Sequence, residues 1–76
     1  MRKKRKQRRL TQRQFQCLVL VARGRSEVQI ARQLGLAANT VHKHIEAAKK
    51  RYRVRSRVRL VVRALLSREM KLAQIA

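Results

Sequence analysis

The sequence predicts an all-α fold: a four-helix bundle containing a helix-turn-helix, preceded by a flexible basic N-terminal arm. Three observations predict it. Proline is absent and glycine occurs only at Gly24 and Gly35, so few residues interrupt a chain rich in Ala, Leu, Arg, Lys and Gln, which favour helix. Thr11, Ser26 and Ser56 each stand at the start of an apolar run with helical spacing, as N-caps do. Across residues 26–52 a short capped helix ends in a glycine turn and a longer basic helix follows at once, which is the layout of a helix-turn-helix.

Length and charge bound what such a chain does. Seventy-six residues make one domain with one small core, and little stability in reserve. The 45% hydrophobic content separates it from disordered chains. Lys and Arg number 22 against 3 Asp and Glu, for a formal net charge of +19. A chain of that balance binds polyanions: DNA, RNA or an anionic membrane. With three carboxylates it offers no paired general acid and base, so an enzyme is not expected. The single cysteine, Cys17, has no internal disulfide partner, which fits a reducing cytosol. No apolar run approaches the roughly 18–20 residues needed to span a bilayer, and no apolar stretch after Met1 marks a secretory signal. No cofactor, metal or small-molecule site is visible.

Residues 1–9 form the basic arm, where Arg2, Lys3, Lys4, Arg5, Lys6, Arg8 and Arg9 crowd together and resist compact structure. It is either a solvated tail or an arm that tracks phosphates or the minor groove. The folded domain is expected over residues 10–68, and residues 69–76 either extend the last helix or fray.

Helix 1 is expected over 12–23. Thr11 caps it, Gln14 completes a capping box, and Leu10 packs toward Phe15 as a hydrophobic staple. Cys17, Leu18, Val21 and Ala22 form its apolar stripe, and Cys17 reads as a small core residue. Gly24 supplies the left-handed stop. Helix 2 is expected over 27–34, with Ser26 and Gln29 as a second capping box and Glu27 favourable at the positive end of the dipole. Ile30, Ala31 and Leu34 face inward; small Ala31 lets the next helix approach, and Leu36 returns to the core after Gly35.

Helix 3 is expected over 38–51. At about 100° per residue, with Val41 centred on the core, Ile45, Ala48 and Tyr52 fall beside it and His44 at the edge. Asn39, Lys43, Glu46 and Lys50 then lie on the opposite side, flanked by Thr40, His42 and Ala47. That outward set has the chemistry to read base edges: Asn to adenine, Lys to guanine, Glu to the amino group of cytosine. His42 and His44 point about 200° apart on the helix and cannot share a metal.

Ser56 caps helix 4, expected over 57–68. Val58, Val61, Val62, Leu65 and Leu66 follow helical spacing, broadened by Leu60 and Ala64. This is either one wide core face or more apolar surface than a small core covers, with the surplus available to a second copy. Residues 51–60 alternate strictly between basic and other residues, which is a strand signal. Nothing else alternates to pair with such a strand, so this segment is expected to be a loop flanked by helices.

With Leu10-Thr11, residues 26–36, Thr40-Val41-His42-Lys43-His44 and Val54-Arg55-Ser56-Arg57 in view, residues 10–66 resemble the LuxR-type (GerE-like) DNA-binding domain. The wording of helix 3 looks most like the quorum-sensing branch. The resemblance implies a four-helix domain acting in bacterial transcription regulation, with helix 3 in the major groove and helix 4 as the dimer interface. It places Thr40, Lys43 and His44 at DNA-contacting positions, with Lys50 nearby. Several positions depart from the pattern. Gln14 and Gln16 stand where glutamates are usual, Val28 where a polar contact residue is common, and His42 where many members carry Lys. Arg53 replaces a near-universal glycine, where a left-handed backbone costs a non-Gly residue about 1 kcal/mol. The changes remove acid and add base, which implies stronger non-specific binding.

The expected function is sequence-specific binding of double-stranded DNA as a bacterial transcription regulator or its output domain, at the nucleoid in the cytoplasm. The DNA contacts are expected from Asn39, Thr40, His42, Lys43, His44, Glu46 and Lys50. A homodimer is expected through Val58, Val61, Val62, Leu65 and Leu66, with RNA polymerase as a further partner. Three other readings use some of the same features. Region 4 of a sigma factor has a similar helix-turn-helix, but lacks the Val-Arg-Ser-Arg segment and the helix after it. A truncated regulator that blocks a full-length relative would use the same helix 4 face. A cationic membrane-active helix has basic and apolar sides, but has no need of a glycine turn and two capping boxes.

Overall fold

The computed structural model describes residues 10–75. The basic arm, residues 1–9, lies outside the described residues, as does Ala76. The described chain forms α1 (Gln12–Ala22), α2 (Glu27–Leu34), α3 (Ala38–Tyr52), α4 (Arg57–Leu66) and a single-turn α5 (Leu72–Ile75), with no strand among the described residues. The alternating segment is shared between the end of α3, a short connection and the start of α4. Residues 51–52 and 57–60 of it have their backbone in helices, and residues 53–56 form the connection.

Local chemistry sets the helix ends. The Thr11 hydroxyl accepts from the Gln14 backbone N–H at 3.1 Å, and the Gln14 side chain accepts from the Thr11 N–H at 3.1 Å. Ser26 and Gln29 repeat the exchange at 3.2 and 2.9 Å. The Ser56 hydroxyl accepts from the Arg59 N–H at 3.1 Å. At the other ends the chain turns through left-handed residues: Gly24 at φ 86°, Gly35 at φ 70° and Arg53 at φ 58°. Each lets the following N–H reach back five residues, Arg25 to Leu20, Leu36 to Ala31 and Val54 to Lys49, at 3.0, 2.9 and 3.0 Å. This satisfies carbonyls the helix itself leaves open.

Arg53 therefore takes the conformation that glycine adopts without cost, as the sequence comparison anticipates. Arg53→Gly is expected to stabilise the domain by about 1 kcal/mol. In a thermal melt followed by circular dichroism that is a rise of roughly 4–8 °C in Tm. An unchanged Tm would show that contacts of the Arg53 side chain offset the backbone cost.

One core joins all the long helices. Cys17, Leu18 and Leu20 of α1, Ile30 and Ala31 of α2, Val41, Ile45 and Ala48 of α3, and Leu60 and Ala64 of α4 are buried together with Leu10 and Met70. Phe15 packs at the edge of the same cluster that buries Leu10. α3 is central, packed against α1, α2 and α4. Cys17 is fully buried, and burial pushes its thiol up from the usual range, against a smaller lowering by Arg13. This thiol is a core group with little thiolate character.

Two stripes differ from expectation. In α1, Leu20 is buried while Val21 and Ala22 are half-buried, because α1 is packed by α2, α3, α4 and α5 rather than along one line. In α4, Leu60 and Ala64 are the core positions, both 0% exposed, and Val61 and Leu65 are half-buried. Val58, Val62 and Leu66 point outward at 73, 46 and 74% exposure. Positions 58 and 60 lie about 200° apart on a helix. Spacing permits either as the inward residue, and contact with α1 and α3 selects Leu60.

The segment after α4 neither extends the helix nor frays. Ser67 caps α4, Arg68 turns left-handed at φ 67°, and Met70 enters the core at 1% exposure. α5 then packs on α1, and the Arg23 guanidinium donates to the Gln74 carbonyl at 3.0 Å. Glu69 closes the turn. Its carboxylate accepts from the Leu10 backbone N–H at 3.2 Å and from the Tyr52 hydroxyl.

Burial, and then the Glu69 hydrogen bond, push the Tyr52 phenol up to about 12. A raised folded-state value means that this contribution to stability is whole below pH about 10, the unfolded value, and is lost as pH climbs toward 12. Tyr52 is the sole tyrosine and there is no tryptophan, so absorbance near 295 nm reports it alone. Its midpoint is expected near 12 in the folded chain and lower in Glu69→Gln, where burial alone still holds it above the ordinary value of about 10. A midpoint that does not move in Glu69→Gln would show that the Tyr52–Glu69 contact does not form.

Candidate nucleic-acid interface

α3 is held with one side sealed and the other open. Val41, Ile45 and Ala48 are 0, 1 and 1% exposed, and their spacing is that of one helical face. The opposite positions, Asn39, Lys43, Glu46 and Lys50, are all exposed, together with His42. Thr40 and His44 are half-buried at the borders. The sequence-derived face of this helix is thus the one left to solvent.

The start of α3 differs from the other long helices. Its N-cap is Ala37, which makes no side-chain capping hydrogen bond, whereas α1, α2 and α4 are capped by Thr11, Ser26 and Ser56. The first amides of α3 are thus left for solvent or an anion, at the positive end of the helix dipole.

Two members of the exposed face are already partnered. The Lys49 ammonium donates to the Glu46 carboxylate at 2.9 Å. That hydrogen bond holds the Glu46 carboxyl below its usual range, so Glu46 is charged. His42 Nδ1 lies 2.8 Å from Glu27 Oε2, and the Arg57 guanidinium donates to the same oxygen. Glu27 thereby links the start of α2 to α3 and to the first residue of α4.

Sequence reasoning saw in Glu27 only a favourable charge beside a helix terminus. Its partners lie 15 and 30 residues away, beyond any local pattern. The usable signal was scarcity: three carboxylates stand among 22 cations, so each has many cations that compete to pair with it. Arg57 and Glu69 were missed in the same way, as was the Glu69 partner of the Tyr52 hydroxyl, whereas the Lys49–Glu46 pair, three residues apart, is local.

The residues expected to pair two copies divide between two environments. Val58, Val62 and Leu66, four residues apart, make an exposed apolar line along α4, while Val61 and Leu65 are half-buried beside it. No helix among the described residues is long and apolar enough to cross a membrane.

A capped short helix, a glycine turn and a longer helix with its polar side outward make this a helix-turn-helix of the DNA-binding kind. Residues 8–64 match the GerE family model, described as bacterial regulatory proteins, luxR family. The chain belongs to this family of DNA-binding transcription regulators. No individual curated protein and no solved structure matches it.

Proposed function

We propose that the chain binds double-stranded DNA sequence-specifically as a bacterial transcription regulator, or as the output domain of one, acting at the nucleoid in the cytoplasm. The observation that carries this reading is the division of α3: a sealed apolar side, and a polar side that keeps Asn39, Lys43, Glu46 and Lys50 exposed. In this reading α3 lies in the major groove. Lys43, Asn39 and Glu46 read base edges, Glu46 by exchanging Lys49 for a base amino group. Thr40, His42, His44 and Lys50 sit nearer the backbone, and the uncapped start of α3 receives a phosphate. Arg and Lys elsewhere drive association by releasing counterions.

Two copies pair through Val58, Val62 and Leu66, with Val61 and Leu65 at the margin. The exposed line on α4 supports this pairing. It sets two recognition helices in successive major grooves, about 10 bp apart. The helix 3 wording supports a place in the quorum-sensing branch, with RNA polymerase as a further partner. The same line on α4 also suits a blocking heterodimer with a longer relative, in which case the chain alone would not select DNA.

Selection of bound duplexes from a random pool at near-physiological salt tests the reading. The expected outcome is a motif with two-fold symmetry and half-sites about one helical turn apart. A featureless pool would overturn it.

A further inference from the structure

The geometry points to Glu27 as a specificity-determining residue, an internal counter-charge that withholds the Arg57 guanidinium from the DNA backbone. The inference rests on the DNA-binding reading above and adds a role to a residue outside the recognition helix.

Glu27 is one of three carboxylates in a chain of net charge +19. Glu69 is turned toward the Tyr52 hydroxyl and the Leu10 amide, and Glu46 holds its helical neighbour Lys49. Glu27 is the carboxylate that draws side chains from two other helices, the His42 ring and the Arg57 guanidinium, to one oxygen. His42 Nδ1 stands 2.8 Å from Oε2, and the Arg57 guanidinium donates to that oxygen as well. His42 lies on the exposed side of α3, and its side chain is 51% exposed. A carboxylate oxygen there presents what a phosphate oxygen would present: an anionic acceptor for a ring N–H and a guanidinium.

The consequence follows from how charge and sequence enter binding. Non-specific affinity comes almost wholly from phosphate neutralisation, and each contact adds about 0.9 to the salt slope. A strongly basic chain risks holding any duplex so tightly that base readout no longer decides where it sits. By keeping Arg57 engaged, Glu27 lowers affinity for every sequence. The selected site loses less, because base contacts fix its register and set which cations face phosphates. The ratio of specific to non-specific binding rises.

Anisotropy titrations on the selected duplex and on a scrambled one, across 0.1–0.4 M KCl, test this with four proteins: wild type, Glu27→Gln, Arg57→Gln and the double variant Glu27→Gln/Arg57→Gln. Glu27→Gln is expected to bind the scrambled duplex about fivefold more tightly at 0.15 M salt, with a slope steeper by about one. Its preference for the selected duplex should narrow. Arg57→Gln and the double variant should keep the wild-type slope, because Glu27 holds Arg57 off the DNA in the native chain. An unaltered slope in Glu27→Gln overturns the inference. So does an Arg57→Gln slope shallower than wild type by about one, and this arm, which leaves Glu27 in place, decides the matter even where Glu27→Gln folds poorly. Failure of the wild-type chain to separate the two duplexes would instead sink the DNA-reading proposal. The slopes on the scrambled duplex would still decide the role of Glu27.

Discussion

Leu60→Ala is expected to lower the stability of the domain by about 2–5 kcal/mol, while Val58→Ala, two residues away on the same helix, costs well under 1 kcal/mol. Leu60 is 0% exposed in the core and Val58 is 73% exposed. Removing buried methyl groups forfeits their transfer energy and leaves a cavity that the surroundings fill only in part. A chain of this size has roughly 4–11 kcal/mol in total, so the Leu60 variant is expected to be substantially unfolded at 37 °C. Urea unfolding followed by far-UV circular dichroism reads both variants. Equal losses at the two positions would show that α4 is rotated from the orientation described. Val58→Ala should instead weaken pairing between copies, visible as reduced cooperativity in binding a two-fold site.

Lys43→Ala is expected to relax sequence preference at one base step, at a cost of about 1–3 kcal/mol, or roughly 5–150-fold in relative affinity. Lys43 stands mid-face on the open side of α3, exposed, between Asn39 and Glu46. Lys50, two turns further along, is expected to act as a phosphate contact. Lys50→Ala should weaken all sequences alike and flatten the salt slope by about one. Competition titrations against single-position variants of the selected duplex separate the two. An unaltered preference in Lys43→Ala would remove α3 from base readout.

Much of this fold was legible because its determinants are local. A capping box needs a hydroxyl and a glutamine three residues apart, and both boxes form as Thr11–Gln14 and Ser26–Gln29. A left-handed stop favours a residue without a Cβ, and Gly24 and Gly35 supply it. The face of α3 follows from helical period once Val41 is placed inward. Even Arg53 was legible, as the residue standing where the family pattern has glycine.

The unread parts are those that local rules leave degenerate. Every residue from 58 to 66 except Arg59 and Arg63 is apolar, so period alone does not choose between Leu60 and Val58. Arg68 turns left-handed with no residue type to announce it, which hid the return of Met70 to the core. Glu27, His42 and Arg57 meet only because three helices converge.

By itself the sequence determined the four longer helices, the caps at Thr11, Ser26 and Ser56, the stops at Gly24 and Gly35, the great excess of positive charge, and which side of the second helix of the motif is polar. Each of these follows from residues within a turn or two of one another. Only the tertiary structure decided which apolar line of α4 is spent on the core, where the tail lies, and which groups Glu27 and Glu69 engage. Those outcomes depend on distances between helices, and the energy that selects them exists only once the helices are packed.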